Sequence, residues 1–165
     1  MRLPSSRRLD PPAPEVYDSG RKIEEAEVPN VKTVIAVDDE ASVLRVICGA
    51  LEQQGYRVLG TTQPVDVPLL LDAHETDLLI LDCMMPVKSG LEIFDELKRK
   101  GHALPVLFAT GYPDMFALDS ESKLIRWKEC MTDGLTDIIY KPFSAEALCA
   151  KVEGMIGPPE EASSP

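Results

Sequence analysis

The sequence predicts an α/β domain built on a parallel five-stranded sheet with helices on both faces. Short apolar runs of strand length alternate with segments of helical periodicity, the pattern of strands covered from above and below. The chain of 165 residues also has room for one ordinary core plus tails, since single domains commonly hold about 100–150 residues.

The strands are expected at "TVIAV" (33 to 37), "YRVLGT" (56 to 61), "LLIL" (78 to 81), "PVLFA" (105 to 109) and "TDIIY" (136 to 140). Between the first two, Val43, Val46, Ile47, Ala50 and Leu51 recur at helical spacing, and Gly55 follows as a stop signal. The second helix, near "VPLLLDAHE", should be short, because Pro68 fits only a first turn. Leu91, Phe94 and Leu97 mark a third, opened after Gly90 and closed at Gly101. The stretch from Gly111 to Leu135 exceeds the roughly 16–24 residues that a helix with two short loops needs. Met115, Phe116 and Leu118 read as extra material before a helix around Leu124 to Met131, so the region from the fourth strand to the fourth helix is extended. Ser144 can cap a fifth helix that carries Leu148, Val152 and Ile156 inward.

The ends differ from the middle. Residues 1–30, with Pro4, Pro11, Pro12 and Pro14 among Ser, Arg and Asp, read as a flexible arm that cannot bury enough surface to offset its ordering entropy. Residues 31–157 form the expected domain, and 158–165 a flexible tail. A net charge of −11 without clustered Lys and Arg argues against direct nucleic-acid binding. Nothing resembles a secretory signal or approaches the roughly 18 apolar residues of a membrane span, so a cytoplasmic location without membrane insertion is expected. Cys48, Cys83, Cys130 and Cys149 lie far apart without a CxxC pair; Cys48 and Cys149 fall in apolar helical patterns and are expected to be buried, reduced thiols.

"LILDCMMP" (79 to 86) drives an acid out of the end of an aliphatic run. Open parallel sheets place their ligand site beyond the carboxyl ends of the strands, which brings distant residues together there. Asp38, Asp39 and Glu40 follow the first strand, Asp82 the third and Thr110 the fourth, with Lys141 and Pro142 at the end of the fifth. Two unit charges about 4 Å apart interact by roughly 4 kcal/mol at an effective dielectric near 20, so clustered carboxylates need positive charge. Lys141 supplies one such charge and a divalent cation is the obvious second; an all-oxygen site suits Mg2+, with Mn2+ possible. Asp38 or Asp39 could instead cap the first helix, and Thr110 could be an ordinary strand-end turn residue.

"VDDE" (37 to 40), "LDCMMPVKSG" (81 to 90), "FATG" (108 to 111) and "YKPF" (140 to 143) resemble, in order and spacing, the receiver domain of two-component response regulators. The resemblance covers about residues 32 to 156. It implies a flavodoxin-like sheet of strand order 2-1-3-4-5 in which Asp82 accepts a phosphoryl group from a sensor histidine kinase or histidine phosphotransfer protein. It further implies that Asp39 binds the metal directly, that Asp38 acts more loosely or through water, and that the Met84 carbonyl is another ligand beside Asp82. Lys141 and Thr110 would each hold a phosphoryl oxygen, and the Lys141–Pro142 bond would be cis. Such a domain is a phosphoprotein that catalyses only its own phosphorylation and dephosphorylation, and signals to a downstream protein target.

The pattern is departed from at the fifth strand. Many receivers carry an aromatic three positions before the lysine, where this chain has Ile138; Tyr140 is expected to point differently. Phe116, Leu118 and Trp127 could form an output surface or fill core. The leading expectation is a stand-alone receiver, because no output domain fits in the tails. The alternative is a receiver-fold interaction module that works independently of phosphorylation. A phosphohydrolase is disfavoured by Met84, where that chemistry places a second acid. A flavin-binding protein is disfavoured because no phosphate loop follows the first strand.

Overall fold

The computed structural model describes residues 31–111 and 132–159. In chain order these form β1 (Thr33–Val37), α1 (Ala41–Gln54), β2 (Arg57–Thr61), a one-turn 3-10 helix (Pro64–Asp66), α2 (Val67–Ala73), β3 (Leu78–Asp82), α3 (Gly90–Arg99), β4 (Val106–Thr110), β5 (Thr136–Tyr140) and a C-terminal helix (Ala145–Ile156). All five strands are parallel in the order β2-β1-β3-β4-β5. The expected topology is therefore present, with β3 and β4 each extending one residue further than expected, to Asp82 and Thr110.

Every residue of β1, β3 and β4 is buried, which is why they are apolar except at their ends, Thr33, Asp82 and Thr110; the edge strands β2 and β5 are only partly covered. Strand alternation divides the core in two. Ile35, Leu79, Leu81 and Phe108 meet Ile93, Phe94 and Leu97 of α3 on one face. The Phe94 and Phe108 rings pack edge to face there, with centroids 5.5 Å apart. On the other face Val34, Ile80 and Leu107 meet Ile47 and Leu51 of α1 and Leu148 and Val152 of the C-terminal helix.

Local chemistry fixes the helix ends. Gly55, at φ 101°, ends α1 in the left-handed region, and its N–H reaches the carbonyls of Leu51 and Glu52. Val46, expected in the inward stripe, is 52% exposed, because α1 packs through Leu44, Ile47 and Leu51 and position 46 is rotated to one side. The seven-residue α2 carries its proline in the first turn, as expected. Before α3, Ser89 and Glu92 form a reciprocal capping box: Ser89 Oγ accepts the Glu92 N–H at 3.3 Å, and Glu92 Oε2 accepts the Ser89 N–H at 2.8 Å. Ser144 caps the C-terminal helix by accepting the Ala147 N–H at 3.1 Å. The far end of that helix is held as well, with Lys32 Nζ donating to the carbonyls of Ile156 and Pro158 and the Tyr56 hydroxyl donating to the Gly157 carbonyl.

Cys83 is buried, whereas Cys48 and Cys149 are half-buried; all three are free thiols. Cys48 Sγ lies over Gly60 of β2 and Cys149 Sγ donates to the Ala50 carbonyl at 3.7 Å, so both sit at the margin of the core and the expected full burial is not met. Cys130, Met115, Phe116, Leu118, Trp127 and the helix expected at Leu124 to Met131 lie outside the described residues. Among the described residues no helix is long and apolar enough to cross a membrane.

Candidate functional site

The carboxyl edge of the sheet gathers the acids. Asp38, immediately after β1, is fully buried. Its Oδ1 accepts the Glu40 N–H at 2.9 Å, and its Oδ2 lies 2.6 Å from Lys141 Nζ. Among the described residues the Lys141 ammonium is what answers Oδ2. The N-cap of α1 is Glu40, without a side-chain cap, so neither Asp38 nor Asp39 serves as the helix cap. Asp39 is exposed.

Asp82, the last residue of β3, is 5% exposed. Its Oδ1 accepts the Met84 N–H at 3.3 Å and lies 3.5 Å from Lys141 Nζ. Lys141 is positioned by its own N–H, which donates to the Thr110 carbonyl at 2.7 Å, and the bond to Pro142 is cis. Thr110 is fully buried at the end of β4. The Met84 backbone runs beside the Asp82 carboxylate, while its side chain is exposed. Carboxylate oxygens of Asp38, Asp39 and Asp82 lie within 4.8 Å of one another. The donor set, three carboxylates of hard oxygen gathered at one edge with one of them fully buried, suits a divalent cation such as Mg2+ or Mn2+.

The charges follow from burial and proximity. Burial pushes the Asp82 carboxyl up to about 6, helped by Asp38 and opposed by Lys141 and the Met84 N–H. Burial also works against the Lys141 charge, but the Asp38 and Asp82 carboxylates outweigh it and hold the ammonium above its ordinary value. The Cys83 thiol, enclosed beside Asp82, is pushed up to about 12, chiefly by burial.

In the metal-free protein, stability depends on the proton held by Asp82. Asp82 is raised on folding from 3.8 to about 6, so its contribution is fully present below pH ~4 and is lost as pH rises through about 6. The charged form then costs on the order of 3 kcal/mol. Asp82→Asn is expected to melt several degrees higher than the natural chain at pH 8 and to lose that advantage at pH 4. Melting curves across this range check it, and a gain that does not change with pH would contradict it.

Ile138 is half-buried against the α3-side core, and Tyr140 is 49% exposed at the end of β5. Two residues apart on one strand, they lie on the same face, which corrects the expectation that Tyr140 points differently; what separates them is burial. Sequence reasoning named Asp38, Asp39, Asp82, Thr110 and Lys141, and all five lie at this edge. It missed Cys83 as a neighbour of Thr110, which only the strand register reveals.

Comparison with known proteins agrees with this architecture. The phosphate regulon transcriptional regulatory protein PhoB of Pseudomonas aeruginosa is 32% identical over 127 residues, which is 76% of this chain and 52% of that protein. The nisin biosynthesis regulatory protein NisR of Lactococcus lactis is 35% identical over 127 residues, 76% of this chain and 51% of that one. The chain spans about half the length of the curated relatives it matches. Among solved structures, the response regulator TrrA of Thermotoga maritima, in complex with Mg2+-BeF, is 26% identical with a TM-score of 0.61, covering 75% of this chain and 98% of that one. The chemotaxis response regulator CheY4 of Vibrio cholerae, 24% identical with a TM-score of 0.62, covers 76% of this chain and 98% of that one and shares the fold. The family model for the response regulator receiver domain matches residues 34–153, and the chain belongs to that family.

Proposed function

We propose that Asp82 is the phosphoacceptor and that Asp38, Asp39, Asp82 and the Met84 carbonyl hold Mg2+ or Mn2+, with Lys141 and Thr110 binding the transferred group. The observation that carries this reading is the near-buried Asp82 carboxylate at the strand end, with Lys141 Nζ 3.5 Å away and two further acids beside it. An Asp82 oxygen would attack the phosphorus of a phosphohistidine, the P–N bond breaking as the P–O bond forms and the imidazole departing with a proton from solvent. The bound cation supplies positive charge to the phosphoryl oxygens. Lys141 contributes a fixed ammonium, already desolvated, to the same oxygens, so the protein acts by position and charge. Folding in advance means little reorganisation accompanies transfer.

Family membership places the domain with a histidine kinase or histidine phosphotransfer system. The finer reading is a receiver unit over residues 31–157, flanked by arms at 1–30 and 158–165, that signals to a protein target once phosphorylated. Ile138, at the place where many receivers carry an aromatic, favours a second reading in which the fold binds its target independently of phosphorylation.

Incubation with phosphoramidate or acetyl phosphate and Mg2+, followed by intact mass, tests the first reading. The natural chain should gain the mass of one phosphoryl group, and Asp82→Ala should gain none. No gain in the natural chain, or an equal gain in the variant, would sink the assignment.

A further inference from the structure

Between the C-terminal helix and the first half of β5 lies an open trough of about 560 Å³. The helix turns Leu148 and Val152 inward to the core, which leaves Ala147, Ala150 and Gly154 on an adjoining, exposed face. That face is one wall of the trough; Leu135 and Thr136 belong to the other, and Pro105 lines it at the amino edge of the sheet. A side chain begun at Gly154 would meet nothing within 4 Å among the described residues. Lys151 and Asp137, one from each wall, pair at 2.6 Å and remain about a third exposed. The Ile138 N–H donates to the Asp137 side chain at 2.7 Å, which blunts β5 against the addition of a further strand. An occupant must therefore lie in the trough itself.

We propose that this chain's own residues 24–28 dock in the trough, so that a protein using this face must first displace them. Their point of entry is fixed. Lys32 Nζ donates to the carbonyls of Ile156 and Pro158, which holds the start of the domain beside the helix turn carrying Gly154 and Met155, both of which line the trough. The other end of the domain leaves elsewhere: Pro159 lies over Gly55, 3.5 Å from the place of a Cβ on that glycine. Only β3 separates β1 from β4. That gap is two strand spacings, about 10 Å, which about three extended residues cover, so Val28 can reach the amino end of the trough from Val31. Alternate residues of an extended segment share a side, which sets Val28, Ala26 and Glu24 together. Val28 then suits the apolar end at Met155 and Pro105, the small Ala26 suits the space beside Ala150, and Glu24 suits the Lys151 ammonium. Glu25 and Glu27 face water.

Nuclear magnetic resonance on the isotope-labelled full chain gives the test. Nuclear Overhauser contacts are expected from the Val28 methyls to the methyl groups of Met155 or Ala150. Gly154→Leu, which puts a side chain into the open space, should abolish them; leucine suits a helix better than glycine, so the fold is kept. Ala150→Gln fills the trough from the adjoining turn and should act in the same way, which keeps the test open if one variant melts early. Val28→Asp should shift the amide resonances of Leu135 and Thr136 and leave those of α1 in place. The absence of contacts from Val28 to the trough, contacts with another surface, or contacts that survive in both filled variants would overturn the proposal. Contacts found only between labelled and unlabelled chains in a mixed sample would overturn it as well, because the occupant would then be a second copy.

Discussion

Gly90→Ala is expected to lower the melting temperature by about 10 °C and to slow phosphorylation by more than tenfold. Gly90 is the first residue of α3, and its N–H points to the Cys83 carbonyl at 3.4 Å. A Cβ on it would collide with the carbonyl oxygen of Asp82 and crowd the Leu81 Cβ at 3.3 Å. Ordinarily alanine would favour a helix over glycine by about 1 kcal/mol. Here the obstacle is backbone, which cannot rotate aside, so overpacking of about 2–3 kcal/mol outweighs that gain. The displaced atoms belong to Asp82 itself, so the defect appears in chemistry as well as stability. Melting and acetyl phosphate uptake measured on the same preparation check both; a variant as stable and as reactive as the natural chain would show that α3 does not abut the acceptor strand.

Lys141→Met should reduce the rate of phosphoryl uptake by about 10²–10³, the usual consequence of removing a preorganised positive group from a site of developing charge. It should also make stability depend strongly on the divalent ion. Lys141 Nζ is the counter-charge 2.6 Å from the fully buried Asp38 and 3.5 Å from Asp82. Removing one partner of a buried pair commonly destabilises by about 3–5 kcal/mol, because the other is left uncompensated. Methionine keeps most of the side-chain volume, so the loss is of charge. Added Mg2+ would restore positive charge among the acids, and the rise in melting temperature on adding it should be markedly larger for the variant than for the natural chain. Equal Mg2+-induced rises would mean that the ammonium and the cation do not serve the same carboxylates.

The sequence declared the strands because apolar runs buried on both faces have few alternatives, and "LLIL" before Asp82 is the plainest case. The site was legible for the same reason: a parallel sheet brings residues after different strands together whatever their separation. Finer features needed three dimensions. The Ser89-Gly90-Leu91-Glu92 capping box is present in the sequence as a spacing, but only the structure shows both of its hydrogen bonds made. The exposure of Val46 depends on how α1 is rotated over the sheet, which a broad apolar stripe does not fix. The meeting of Cys83 with Thr110 depends on strand register, which neither segment encodes alone.

The C-terminal helix is moored at both ends. Its first turn hangs on Ser144, three residues beyond Lys141, while its last carbonyls and those just after it are gripped by Lys32 and Tyr56 from the opposite side of the domain. Sliding it along its own axis would tear those grips loose. A displacement of Lys141 toward an arriving anion must therefore be absorbed in the short link through Pro142 and Phe143, or emerge as a swivel about the fixed far end, so any mechanical message carried by this helix is angular and grows toward its capped beginning.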